Sequence, residues 1–124
     1  MTDERKQKIR IKLTDWAAIS RPEFRRMAKA PGTPLHLRVF FAALGSANQL
    51  GHAELAPCEL ADILRRADGT AQPKQAVSRA VREAKTHGLL HPSSNARCLV
   101  LSPHMYDVGQ GSLSCRTHGI RRAA

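Results

Sequence analysis

The chain has 124 residues, the length of one domain with short extensions. Apolar residues make up 42% of the chain, so a packed core is expected rather than disorder. Lysine and arginine number 20 against 10 acidic residues, and the formal net charge of +10 predicts an anionic partner. No apolar stretch approaches the roughly 18 to 20 residues of a membrane span. Nucleic acid is therefore favoured over a membrane surface as the partner.

The cysteines and the N-terminus predict a cytoplasmic protein, and a DNA partner would place it on the nucleoid. Cys58, Cys98 and Cys115 lack CxxC spacing, and their odd number argues against a disulfide framework. The first residues, MTDERKQKIRIKL, are too charged for a secretory signal. Only Cys115 and His118 have a spacing typical of metal ligands. A structural zinc site requires four ligands, so no metal is predicted. Without a triad order or a GxxxxGK[ST] motif, neither catalysis nor a cofactor is predicted.

An N-terminal extension, residues 1–32, comes first in the chain. Apolar and basic residues alternate over residues 9–13, which predicts a short half-exposed strand. Ser20 and Glu23 form a capping box that starts a short helix, and Pro31-Gly32 ends it. Three roles are open for this extension: it supports a homodimer, adds a phosphate-gripping arm of basic residues, or covers the core. The basic residues of that arm would be Arg21, Arg25, Arg26 and Lys29.

The main predicted domain, residues 33–108, begins with a helix that has Thr33 as N-cap and Pro34 at its first position. Its apolar face, spaced i, i+3, i+4 and i+7, consists of Leu37, Phe40, Phe41 and Leu44. A break at residues 45–51 and a short strand at 53–56 follow. The next helix, residues 57–66, turns three side chains inward: Leu60, Ile63 and Leu64. Asp68-Gly69-Thr70 is a predicted turn.

The most regular helix is predicted over residues 72–87, and Gly88 stands where a C-terminal glycine belongs. Two strand candidates, residues 89–90 and 97–102, follow as a hairpin around a polar loop at 92–95. The residues 109–124 are rich in Gly, Ser and Arg and are predicted to form a loose basic tail. The fold class is thus mainly α with a small β-hairpin.

Helix 72–87 separates an apolar face from a basic one. Its core side is predicted to consist of Val77, Ala80, Val81 and Ala84. The opposite stripe then carries Gln75, Arg79, Arg82 and Thr86, with Lys74, Ser78 and Lys85 at one edge. Arginine suits guanine O6 and N7, and glutamine suits adenine. A basic helix that follows a second helix through a short turn favours DNA binding over a merely solvated face.

The segment GHAELAPCELADILRRADGTAQPKQAVSRAVREAKTHGLLHPSSNARCLVLSP resembles the winged helix-turn-helix superfamily. ELAPCELADIL is similar to the positioning helix, QAVSRAVREAKTHGLL to the recognition helix and first wing strand, and ARCLVL to the second strand. The likeness covers about residues 35–103. It implies base contacts from Gln75, Ser78, Arg79 and Arg82. It implies backbone contacts from Lys74, Lys85 and Thr86, and from Asn95 and Arg97 in the wing.

The predicted function is sequence-specific binding of double-stranded DNA, most simply for transcription regulation on a bacterial chromosome or a mobile element. A replication initiator or origin-binding accessory protein is an alternative, because LVLSPHMYDVGQG and IKLTDWAAISRPEFRRMAK are similar to parts of plasmid and phage replication proteins. A protein-interaction module with a basic face is a second alternative. RNA is disfavoured because aromatic residues, which stack on single-stranded bases, make up only 4%. A homodimer on paired half-sites is a further expectation.

Overall fold

A computed structural model describes residues 17–103, which form four helices and one two-stranded antiparallel sheet. The predicted mainly helical class with a small sheet is confirmed at this level. The strand predicted at residues 9–13 and the tail 109–124 lie outside the described residues. No helix within 17–103 combines the length and apolar character needed to cross a membrane. The elements are α1 (Arg21–Lys29), α2 (Leu35–Ser46), β1 (His52–Glu54), α3 (Glu59–Ile63), α4 (Lys74–Thr86) and β2 (Cys98–Val100).

Helix α1 begins at the predicted cap. The Ser20 hydroxyl accepts a hydrogen bond from the backbone N–H of Glu23 at 3.3 Å, so the N-cap is confirmed. The Glu23 carboxylate accepts instead from Arg26, whose Nε lies 2.9 Å from Oε1. Helix α1 packs against α2, with the Phe24 and Phe41 ring centroids 5.6 Å apart. The helix of the N-terminal extension therefore shares one core with the rest of the described chain.

Helix α2 starts and ends later than predicted. Pro34, not Thr33, is the N-cap residue, because its ψ of 139° places it outside the helix and Leu35 becomes the first helical residue. No side chain caps this end. At the other end Gly45 and Ser46 are still helical, so the predicted break at residues 45–51 starts only after them.

The deepest face of α2 is not the predicted one. The predicted apolar residues Leu37, Phe40, Phe41 and Leu44 are only half-buried. The fully buried face consists of Arg38, Val39, Ala42, Ala43 and Gly45. Helix α2 contacts α1, β1 and α4, so small side chains occupy the positions where its neighbours approach most closely.

Helices α1 and α2 cross where Gly45 leaves no side chain between them. A Cβ atom at Gly45 would lie 2.6 Å from Arg25 Cγ and 2.8 Å from the Arg25 backbone nitrogen. The same crossing satisfies carbonyl groups at the end of α2. Arg25 donates to Gly45 O at 2.6 Å, and Arg21 donates to Ala47 O at 2.7 Å. These two arginines belong to the helix–helix contact.

Gly45→Ala is expected to destabilise the protein, because the new methyl group meets the backbone of α1 and the two helices must separate. Overpacking of this kind costs about 1 to 3 kcal/mol of unfolding free energy. Urea unfolding of Gly45→Ala and of the neighbouring control Ser46→Ala measures the difference. Equal midpoints for Gly45→Ala and the wild type would show that α1 does not pack on α2 at this position.

The sheet pairs strands that are far apart in sequence. Strand β2 pairs with β1 in antiparallel register, with Ala53 opposite Leu99. The predicted hairpin between residues 89–90 and 97–102 is confirmed only as an isolated antiparallel bridge between Leu90 and Leu101, because residues 89–90 form no strand. Strand β2 is buried along its whole length and takes its ladder partner from β1 instead. Strand β1 covers residues 52–54 rather than the predicted 53–56.

Helix α3 is shorter than the predicted helix 57–66. Cys58 has a left-handed backbone with φ of 66°, so the helix starts only at the next residue. Leu64 ends it, and its N–H donates to Leu60 O. Leu60 and Leu64 are fully buried, as predicted, while Ile63 is half-buried.

Candidate nucleic-acid interface

Helix α4 occupies most of the predicted helix 72–87. It starts at Lys74 because Pro73, with ψ of 152°, is its N-cap residue. It ends at Thr86, and Gly88 then takes the left-handed conformation with φ of 74°. The N–H of Gly88 donates to Lys85 O and that of Leu89 to Ala84 O, the two hydrogen bonds of a Schellman motif. The predicted role of Gly88 is confirmed.

The two faces of α4 differ as the sequence pattern predicts. The core side consists of Val77, Ala80, Val81 and Ala84, all buried. On the outer side one predicted contact residue, Lys85, is half-buried. The others are exposed: Lys74, Gln75, Ser78, Arg79, Arg82 and Thr86. The helix is therefore fixed by its apolar stripe while its basic stripe faces solvent.

Five of these outer residues line one shallow depression on α4. Its volume is about 330 Å³, and its lining consists of Lys74, Gln75, Ser78, Arg79 and Arg82. No carboxylate lines it, and no other described residue bonds to these side chains. Thr86 lies further along and its hydroxyl donates to Arg82 O at 3.0 Å. All four predicted base-reading side chains are thus brought together, and none of them bonds to another residue of the described range 17–103.

The acidic residue of α4, Glu83, does not line the depression. Glu83 Oε2 lies 3.6 Å from His36 Nδ1 of α2, and this pair is ionic when the histidine is protonated. The His36 ring also stacks on His87, with centroids 4.8 Å apart. The negative charge of α4 is consequently held at its contact with α2, so the outer stripe keeps its positive charge.

The two predicted wing residues, Asn95 and Arg97, form hydrogen bonds with the protein backbone. Asn95 Oδ1 accepts hydrogen bonds from the backbone N–H groups of Arg97 and Cys98, at 2.8 and 3.0 Å. Arg97 Nε donates to Leu55 O at 3.0 Å. The buried Ser94 hydroxyl bridges the backbone N–H and carbonyl of Val100. Both Asn95 and Arg97 are exposed, but neither lines the depression on α4.

The predicted basic arm on α1 is largely engaged within the protein. Arg21 and Arg25 donate to carbonyl groups at the end of α2, and Arg26 pairs with Glu23. Lys29 is exposed and has no such bond to another described residue. These contacts favour the core-covering role among the three that the sequence left open.

One buried cation was not predicted from the sequence. Arg38 is 2% exposed, and its guanidinium donates to backbone carbonyls of α1, α3 and the segment after α3. The acceptors are Ala28 O at 2.8 Å, Ile63 O at 3.2 Å, Arg65 O at 3.3 Å and Leu64 O at 3.4 Å. Burial lowers the pKa of Arg38, and the charge of Arg65 lowers it further. No sequence signal separates such an arginine from one on a solvated helix face.

The predicted turn at residues 68–70 is confirmed. Asp68 Oδ1 accepts hydrogen bonds from the Thr70 hydroxyl and backbone N–H, at 2.6 and 2.9 Å. These bonds lower the pKa of the Asp68 carboxyl. Arg66 N–H donates to Thr70 O at 2.8 Å and closes the turn. The segment between α3 and α4 is therefore ordered by its own bonds.

Three features of the described residues distinguish the α4 face: its exposure, its positive charge and the lack of internal partners for its polar side chains. In residues 17–103, no group of three or more His, Cys, Asp or Glu side chains is arranged to hold a metal ion. No family model, curated protein or solved structure matches the chain.

Proposed function

We propose that this protein is a winged-helix regulator that binds double-stranded DNA in a sequence-specific manner, with α4 in the major groove. The observation that carries the proposal is the depression on α4. Its five lining residues are two arginines, a lysine, a glutamine and a serine. These are the residue types that pair with base edges and phosphates in a groove.

The shape of α4 suits this role. An α-helix with its side chains is about 10 to 12 Å across, and the major groove is about 12 Å wide. Gln75, Arg79 and Arg82 follow each other at spacings of four and three residues, so they share one face. Arg79 and Arg82 suit guanine, and Gln75 suits adenine. Lys74 at the start of the helix suits a phosphate group.

Single-stranded RNA is a poorer fit to the described surface. Sequence-specific RNA modules stack bases on exposed aromatic rings. In residues 17–103 the one exposed large hydrophobic side chain is Ile19. Phe24, Phe40 and Phe41 are half-buried and pack on each other. Duplex DNA needs no such stacking surface, so it is the favoured ligand.

Selection of bound fragments from a pool of random duplexes tests the proposal. We expect one enriched motif that contains guanine, and a second copy of it at about one helical turn if two chains bind together. Mapping the sites in the genome then separates promoters, as proposed, from an array of repeats at a replication origin. A pool that shows no enrichment, with no duplex retained at low salt, would overturn the proposal and favour a protein-docking role.

A further inference from the structure

A second group of cations lies beside the residues that Arg38 of α2 bridges, at the end of α1 and just after α3. The buried guanidinium of Arg38 is bonded to Ala28 O in α1 and to Arg65 O after α3. Lys29 directly follows the first of these residues, and Arg66 directly follows the second. We name Lys29, Arg65 and Arg66, which are all exposed, the junction cluster. One buried arginine therefore binds the backbone of Arg65 itself and of Ala28, the residue before Lys29.

The positive charge of the junction cluster is only partly offset within the described residues. No carboxylate of residues 17–103 forms an ion pair with Arg38, Arg65 or Lys29. The Arg38 guanidinium donates to Arg65 O at 3.3 Å, and the charge of Arg65 lowers the pKa of Arg38, so two like charges lie close together here. Asp68 offsets part of the charge of Arg66, although the Thr70 hydrogen bonds dominate the pKa of that carboxyl. An anion at this place would relieve the repulsion.

The junction cluster sits on ordered backbone that leads directly into α4. The Arg66–Thr70 bond closes the turn, and Gln72 N–H donates to Ala61 O at 3.2 Å. Pro73 then ends the segment, and Lys74 begins both α4 and the depression. Binding there requires little further ordering of the chain, which favours affinity.

We propose that the junction cluster binds phosphate groups of the DNA backbone beside the groove that receives α4. This inference rests on the proposed function and assigns Arg65, Arg66 and Lys29 to that site. The cluster adds sequence-independent affinity, whereas the side chains of the depression select the sequence. Arg38 is a positioning residue for the cluster, because it holds Arg65 by its carbonyl group.

The salt dependence of binding tests this assignment. The double variant Lys29→Ala, Arg65→Ala is titrated against a mixed-sequence duplex of about 20 base pairs, two helical turns. Each phosphate contact contributes about −0.9 to the slope of log K against log salt, so we expect the slope to shrink by about 1.8. The loss of affinity should be equal for mixed and selected duplexes. The charge-retaining variant Arg65→Lys should keep the wild-type slope.

Arg26→Ala is the matched control for net charge, because Arg26 is also an exposed arginine but already pairs with Glu23. A slope reduced as much by Arg26→Ala as by Arg65→Ala would mean a general charge effect and would overturn the assignment. An unchanged slope in the double variant would also overturn the assignment. If Arg79→Ala still weakens binding in that case, the proposed function stands. If the wild type binds no duplex, the proposed function itself fails. Urea unfolding of each variant confirms that the compared chains are equally folded.

Discussion

Arg79→Ala and Arg82→Ala should each weaken binding to the selected DNA site by roughly 5- to 150-fold, since one bidentate arginine–guanine contact discriminates by about 1 to 3 kcal/mol. Both side chains line the depression on α4 and bond to no other described residue, so their removal costs the fold no contact. The unfolding free energy should change by no more than about 0.5 kcal/mol. Fluorescence anisotropy with the selected duplex and with a scrambled one measures both affinity and discrimination.

Arg26→Ala serves as the matched control, because it removes an exposed helical arginine with the same loss of charge but from α1. It should keep the ratio of affinities for selected and scrambled duplexes. The double variant Arg79→Ala, Arg82→Ala should lose most of the preference for the selected duplex, because only Gln75 and Ser78 then remain in the depression to read bases. If that double variant keeps the wild-type preference for the selected duplex, α4 does not read the bases and the proposed orientation on DNA is wrong.

Arg38→Met should cause the largest loss of stability among these variants. It fills a similar volume but leaves four backbone carbonyls without their donor. An unsatisfied buried acceptor costs about 1 to 3 kcal/mol. Burial of the guanidinium is itself costly, and losing that cost offsets part of the effect. A net loss of about 3 kcal/mol follows, or a Tm lower by roughly 10 to 20 °C for a domain of this size.

Arg38→Lys keeps the charge but offers three donors from one point instead of five from a planar fork. It cannot reach all four carbonyls at once, so its Tm should fall between those of the wild type and Arg38→Met. Thermal unfolding followed by circular dichroism measures all three proteins. If Arg38→Met does not fold, comparing the Tm of Arg38→Lys with that of the wild type still tests whether the carbonyl bonds of Arg38 stabilise the fold. Equal Tm values for Arg38→Lys and the wild type would show that the multiple carbonyl bonds do not stabilise the fold.

Local chemistry was predictable wherever a short stretch of sequence contains both the signal and its partner. The Ser20 cap, the turn at Asp68 and the Gly88 terminus are of this kind, because each is set by side chains and backbone within a few residues. The same holds for the buried stripe of α4, where a regular spacing of small apolar residues marks the core side. Once the buried apolar stripe of α4 is placed, the exposed basic stripe must lie on the opposite side of the helix.

Helix ends and strand partners were less predictable. Pro34 and Pro73 both stand at N-cap positions, so α2 and α4 each begin later than predicted. Cys58 has a left-handed backbone conformation, so α3 begins only at Glu59 and is shorter than predicted. Strand β2 pairs with β1, although residues 55–97 separate them in sequence, and the predicted hairpin is reduced to a single bridge between Leu90 and Leu101. A choice between two strand partners depends on how the helices pack, which no local window contains.

By itself the sequence determined a basic, mainly helical protein with an amphipathic helix whose outer stripe carries Gln75, Arg79, Arg82 and Thr86 and has Ser78 at its edge. Only the tertiary structure decided which cations remain available to an anionic partner. It engages Arg21 and Arg25 at the α1–α2 crossing, and it buries Arg38 under the junction cluster. The physical reason is that an arginine whose guanidinium donates to nearby backbone carbonyl groups is no longer available to an anionic partner. Those groups belong to helix ends that meet only after the chain has folded.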